Sequence, residues 1–146
     1  MKLKFIFLGK KMSKPIDTMI INYLQRLNRY VKSEYLYLQD KNQGKLEQKV
    51  LSTIKPNTCL IILDEKGKNL NTLEYSQFIE DKISRYSSIL FVVGDAYGVP
   101  TKILHSSDYL IALSEMTFPH LFARLILVEQ TYRSFTIFNN HPYHHE

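Results

Sequence analysis

Three of the chain's five histidines fall within its last six residues, His141, His144 and His145, interleaved with Pro142 and Tyr143. Imidazole titrates near neutral pH, so such a cluster suits proton transfer or metal binding. A closed zinc site would need further Cys or carboxylate ligands, and no such cluster stands nearby. A polar chain end is the plainer alternative. Upstream, three other stretches carry unusual chemistry at the ends of apolar runs: Leu63-Asp64, Gly94-Asp95-Ala96-Tyr97-Gly98, and Leu113-Ser114-Glu115-Met116-Thr117-Phe118. The glycine loop is neither G-x-G-x-x-G nor a Walker sequence, so it lacks the phosphate cradle of a dinucleotide or nucleoside triphosphate site. Its spacing equally fits a tight strand-to-helix turn with a glycine at positive φ. His120, just after Pro119, reads most simply as a helix N-terminal residue. Glu129 and Arg133, four apart, suit a helical ion pair.

The elements that must position these residues follow from periodicity. Lys2 to Leu8 predicts a buried strand, and Pro15 opens a helix carried by Ile16, Met19, Ile20, Tyr23, Leu24 and Leu27. Ser33 to Leu38 predicts a second strand, Asp40 to Gly44 a polar loop, and Leu46 to Ile54 a second helix ended by Pro56. The unbroken run Thr58 to Leu63 reads as a strand buried on both faces, which argues for a parallel sheet covered by helices. Asp64 to Lys68 then reads as a polar turn, Leu73 to Ile83 as a third helix, and Ile89 to Val93 as another buried strand. A short helix over Thr101 to His105, a fifth strand over Tyr109 to Leu113 and a long helix from Pro119 to about Phe138 complete the alternation. That pattern predicts an α/β sandwich with a mainly parallel sheet, and residues 1–146 are expected to form one domain. In such sheets ligands bind beyond the carboxyl ends of strands, where the three unusual stretches lie.

Composition narrows the class. The apolar core of the N-terminus, Phe5 to Leu8, is too short for a secretory h-region. No apolar run approaches the length of roughly 20 residues that crosses a bilayer. With a single cysteine, Cys59, a cytoplasmic protein is expected, with no membrane partner. The net charge of +5 is unevenly spread: residues 1–55 hold twelve Lys/Arg against four Asp/Glu, and the remainder seven against ten. A basic section suggests a polyanionic partner, although a solvated lysine-rich face would look the same.

The strings Met116-Thr117-Phe118-Pro119-His120, Glu129-Gln130-Thr131-Tyr132-Arg133 and Asn140-His141-Pro142-Tyr143-His144 resemble the RlmH family. These are bacterial large-subunit (23S) ribosomal RNA methyltransferases of the SPOUT superfamily that act on N3 of a pseudouridine. The start Met1 to Lys10 and the segment Leu63 to Lys68 fit as well, so the resemblance spans the chain. It implies a single SPOUT domain with a C-terminal trefoil knot, which periodicity alone argues against because threading is so rare. It also implies a homodimer, no metal, and S-adenosylmethionine held by Leu63, Gly94, Leu113, Ser114, Glu115, Met116, Thr117 and Phe118. An imide nitrogen must lose its proton to attack a methyl group, so His144 is expected to act as the base or to orient the uracil edge, with Tyr143 contacting the base. The basic section is the expected RNA-facing surface.

Three departures from the family pattern stand out: Asp95 where glycine is usual, His145 in place of Arg or Lys, and a shortened segment around Asp40 to Gly44. A SPOUT enzyme acting on another RNA such as tRNA, or a non-catalytic ribosome-binding factor, are the alternatives. The tail motif weighs against the first; Asp95 and His145 are the features that favour the second.

Overall fold

A computed structural model describes residues 1–145. Five strands form one parallel sheet in the order β2-β1-β4-β3-β5. They are β1 (Lys2–Leu8), β2 (Lys32–Leu38), β3 (Thr58–Asn69), β4 (Ser88–Val93) and β5 (Tyr109–Ala112). Five helices alternate with them: α1 (Lys14–Leu27), α2 (Gln43–Leu51), α3 (Thr72–Arg85), α4 (Thr101–His105) and α5 (His120–Phe138).

Side chains alternate across a strand, so each central strand feeds two cores. Leu3, Phe5 and Phe7 of β1 join Ile61, Phe91, Ile20, Leu24, Ile79, Leu127 and Phe135 under α1, α3 and α5. Ile6 and Leu8 join Leu60, Ile62, Leu90 and Val92 with Val50 of α2 and Ile103 of α4 on the other face. The unbroken apolar runs thus come from strands covered on both sides. Local signals set the helix starts. Ser13 caps α1 ahead of Pro15, Asn42 caps α2, and Asn71 with Glu74 forms a reciprocal capping box on α3.

Two sequence expectations need correction. Asp64 to Lys68 is no turn: β3 continues to Asn69, slipping register between Leu63 and Lys68 so that its polar half still pairs with β5. Gly67 makes this possible, because a Cβ there would stand 2.6 Å from the backbone nitrogen and carbonyl carbon of Ile111. Polar composition signalled a turn, but an edge pairing needs only backbone hydrogen bonds. The loop expected over Asp40 to Gly44 is also shorter, since Asn42 already caps α2.

The end of the molecule beyond the strands' carboxyl ends is organised by α5. The chain leaves edge strand β5, returns across the ends of β3 and β4, and runs into α5, which packs on α1 and α3. Arg124, 1% exposed, fixes that return. Its guanidinium donates to the carbonyl oxygens of Leu8 (2.9 Å) and Lys10 (3.0 Å) at the end of β1 and lies over the rings of Phe7 and Tyr37. α5 ends in a Schellman motif. Asn140 takes a φ of 55° there. Its N–H reaches the carbonyl of Ile137, and the N–H of His141 reaches that of Thr136 at 2.9 Å. The tail therefore folds back along its own helix.

Candidate functional site

A cleft of about 520 Å³ opens at the carboxyl ends of β3, β4 and β5. Three segments wall it, and each is ordered by its own short-range bonds. At the end of the apolar half of β3, Asp64 Oδ1 accepts from the Lys66 N–H at 2.8 Å. After β4, Asp95 Oδ1 accepts from the Tyr97 N–H at 2.9 Å, while the Asp95 carbonyl accepts from the Gly98 N–H at 3.0 Å. Gly98 has a φ of 86°, and a Cβ on Gly94 would lie 2.6 Å from the Gly98 carbonyl carbon, so this turn requires both glycines. After β5, Ser114 Oγ accepts from the Met116 N–H at 3.0 Å, and Pro119 starts α5.

The inner wall is apolar (Leu63, Val93, Ala112, Leu113), and the lining also carries Asp64, Glu65, Asp95, Lys66, His120 and the exposed Phe118. Burial, and then the charge of Arg124, lower the His120 imidazole below its ordinary value, with Asp95 opposing. Neutral imidazole is the form the cleft favours. Met116 is 74% exposed and Tyr97 97% exposed, so part of the rim is bare apolar surface.

Of the eight residues expected to hold a cofactor, Leu63, Gly94, Leu113, Ser114, Met116, Thr117 and Phe118 line this cleft, and Glu115 does not. Sequence reasoning gave no site role to Glu65 and Lys66, took Tyr97 only as part of the glycine turn, and read His120 as a helix N-terminal residue. Glu65 and Lys66 were hidden by the misread turn; the proline before His120 was the available signal for that residue.

Tyr143 and His144 lie elsewhere. The Tyr143 hydroxyl donates to Glu129 Oε1 at 2.8 Å, and its ring packs edge-on against Tyr132 at 4.8 Å. Burial, with the neighbouring phenol of Tyr23 and the Glu129 carboxylate, pushes the Tyr143 phenol far up, so it stays protonated. Arg133 bonds the same Glu129 oxygen through Nε at 3.0 Å, and its Nη1 meets His144 Nδ1 at 3.1 Å. The expected Glu129–Arg133 pair forms, but as the anchor of the tail. His120 and Arg133 both belong to α5, thirteen positions apart. At a rise of about 1.5 Å per residue that is roughly 20 Å. Cleft and tail therefore occupy opposite ends of one helix.

The N-terminal lysines divide. Lys2 and Lys4 pair with Glu34 at the far edge of the sheet, and Lys49 with Asp40. Lys10, Lys11 and Lys14 are exposed just past the carboxyl end of β1, on the end that bears the cleft, with Lys11 also 3.9 Å from Asp17. Among the described residues no three His, Cys, Asp or Glu side chains gather as a metal site, and no helix is long and apolar enough to cross a membrane.

A family model described as "Predicted SPOUT methyltransferase" matches residues 1–144. The chain belongs to the SPOUT methyltransferase family. A ribosomal RNA large subunit methyltransferase H from Flavobacterium psychrophilum is 37% identical over 157 aligned residues covering all of both chains. Another so named, from Acetivibrio thermocellus, is 36% identical over 99% of each. The crystal structure of a probable methyltransferase from Bordetella pertussis shares the fold, with a TM-score of 0.60 at 9% identity, over 91% of this chain and 95% of that one. In this SPOUT chain Asp95 spends one carboxylate oxygen on its own turn.

Proposed function

We propose that the protein is an S-adenosylmethionine-dependent methyltransferase that modifies N3 of a pseudouridine in 23S ribosomal RNA, in the cytoplasm, as a homodimer. Family membership and the full-length likeness to ribosomal RNA large subunit methyltransferases H support the reaction class and the substrate.

The cleft fits the cofactor on its own residues. Its volume lies within the ~300–1,000 Å³ typical of small-molecule sites. Its apolar inner wall suits an adenine ring, and the close packing of Gly94 on the Gly98 backbone holds the adjoining turn in a fixed shape. Asp64, Glu65 and Asp95 give the rim a negative balance, which suits a ligand bearing a sulfonium and an ammonium. Leu63, Gly94, Leu113 and the segment Ser114 to Phe118 would hold it; Glu115 would act from outside the wall. When bound, S-adenosylmethionine supplies an electrophilic methyl group on a positively charged sulfur.

The observation that carries the homodimer is the separation of cleft and tail. A methyl group moves only between atoms held near contact distance. Within one chain, Tyr143 and His144 are anchored near Arg133. That anchor lies about 20 Å along α5 from the cleft. An isologous two-fold pairing with the α5 helices antiparallel brings the tail end of one copy beside the cleft of the other. Exposed Met116, Phe118 and Phe122, at the cleft end of α5, supply an apolar surface for that pairing. Target choice then comes from the dimer surface meeting folded RNA, with Lys10, Lys11 and Lys14 engaging phosphates beside the cleft. The reading includes a knotted path for the C-terminal third, supported by the return of the chain across the ends of β3 and β4 before α5.

The test is transfer of labelled methyl from S-adenosylmethionine to whole ribosomes, free large subunits and tRNA from a strain lacking this protein. Label in 23S RNA at a pseudouridine is expected. Label confined to tRNA would overturn the substrate, and no transfer with no cofactor binding would overturn the enzyme.

A further inference from the structure

The contact between Arg133 and His144 fixes more than the position of the tail. A guanidinium has five N–H donors and no acceptor. Arg133 Nη1 stands 3.1 Å from His144 Nδ1, so Nδ1 must present its lone pair. A neutral imidazole with a bare Nδ1 carries its proton on Nε2. The tautomer is thus chosen by the neighbour.

Arg133 is not free to turn away. Its Nε and Nη2 both bond Glu129 Oε1, one turn back on α5. Its other face lies over the Tyr143 ring, 4.8 Å from the centroid, and Tyr143 is itself tied to Glu129 and Tyr132. The guanidinium is held by a carboxylate on one side and an aromatic face on the other. Protonating Nδ1 would break its bond to Arg133 and set an imidazolium against a guanidinium, while Nε2, already protonated, has no lone pair to offer.

We propose that His144 serves the methyl transfer as a hydrogen-bond donor through Nε2–H, held in that tautomer by Arg133 as a positioning residue, and is not the base. The proposal rests on the reading that the tail meets the target uracil. An imide N–H is flanked by two carbonyl groups. When the nitrogen loses its proton to water, the negative charge spreads onto those oxygens, and an Nε2–H bond to one of them stabilises the anion where its charge lies. The imide nitrogen then forms its bond to the methyl carbon as the carbon–sulfur bond breaks, and that bond's electron pair goes to sulfur. His144 begins and ends the cycle neutral, with the same proton on Nε2.

Two measurements test this. Long-range ¹H–¹⁵N correlation spectra of the whole protein labelled at histidine, with His144→Gln used to assign the signal, report the tautomer without any ligand. The Nε2–H form with a bare Nδ1 is expected, and an Nδ1–H form would overturn the proposal. Single-turnover methyl transfer to large subunits then compares His144→Gln, which keeps an amide donor, with His144→Ala, which has none. The donor role predicts that Gln stays within about tenfold of wild type while Ala falls by about 10²-fold or more. If His144 were the base, Gln would fall with Ala, by about 10²- to 10⁴-fold, and the proposal would fail. Loss of methyl transfer by the wild-type protein itself would instead strike the functional reading and leave the tautomer result standing.

Discussion

Gly94→Ala is the most direct probe of the cleft wall. A Cβ at this position meets the Gly98 carbonyl carbon at 2.6 Å, its oxygen at 2.8 Å and its Cα at 3.0 Å, all backbone atoms that no rotamer change can move. To reach an ordinary contact of 3.4 Å the turn must retreat by about 0.8 Å. A displacement of that size makes overpacking cost about 1–3 kcal/mol. The turn is tied by the Gly98-to-Asp95 bond at 3.0 Å and the Tyr97-to-Asp95 bond at 2.9 Å, so part of the strain reaches Asp95 and Tyr97 on the cleft rim. The cost must appear in one of two places. If the turn resists, the free protein loses stability, by about 2–4 °C of melting temperature per kcal/mol at this size. If it yields, the cleft deforms and cofactor affinity falls, tenfold for each ~1.4 kcal/mol. Calorimetric titration with S-adenosylmethionine and thermal unfolding of the same samples read both. The two losses together should amount to about 1–3 kcal/mol, most of it in affinity. A Gly94→Ala protein with wild-type melting temperature and affinity would refute the assignment of this turn as a close-packed cofactor wall.

Three further outcomes follow from other contacts. Thr131 donates its only hydroxyl proton to the Leu127 carbonyl at 2.7 Å, so Tyr75 must donate to Thr131 Oγ1 across 2.8 Å in a fully buried pair. Thr131→Val leaves that phenol unsatisfied and should cost about 1–3 kcal/mol in urea unfolding, whereas an unchanged midpoint would refute the bond. Gly67→Ala should weaken the β3–β5 pairing, since its Cβ meets Ile111 backbone at 2.6 Å, and amide exchange at the edge should quicken while β1 and β4 stay protected. His120 has a folded value below its ordinary 6.5, set first by burial and then by Arg124. Above 6.5 both folded and unfolded chains hold it neutral. As pH falls through 6.5 the unfolded chain gains a proton that the folded chain refuses, so stability drops until the lower folded value is passed. Melting temperatures from pH 7.5 down to 5 should fall more steeply in wild type than in His120→Asn; parallel curves would remove His120 as the cause.

The parallel sandwich was legible because β1, β3 and β4 are buried on both faces and therefore read as unbroken apolar runs. The cleft was legible for a related reason: glycine, proline and small polar residues collect where strand ends must turn sharply. The polar half of β3 was not, because an edge pairing is made by backbone groups that every residue carries, and only the close approach at Gly67 betrays it. The role of Arg124 was equally hidden, since nothing local shows that a mid-helix arginine bonds carbonyls more than a hundred residues earlier. Glu129 and Arg133 gave the right helical ion pair but not its second role as the anchor of the tail. Spacing predicts a helix-stabilising bridge, while the tail that folds back onto it depends on the Schellman turn at Asn140. The distance between cleft and tail lay beyond any sequence pattern, because it follows from where α5 begins and where its tail is tied.

That distance makes one measurement decisive. A variant with a distorted cleft wall, Gly94→Val, and a tail-deficient variant, His144→Ala, are each expected to be nearly inactive on large subunits as separate preparations. Co-expressed, about half of the dimers pair one of each, and each such dimer has one cleft and one tail both intact if the two come from different subunits. Methyl transfer to 23S RNA should then recover to about a quarter of the wild-type level per chain, because one of the two sites in each mixed dimer again holds its reacting groups together. A mixture no more active than its separate components would contradict a site shared between two copies of this chain.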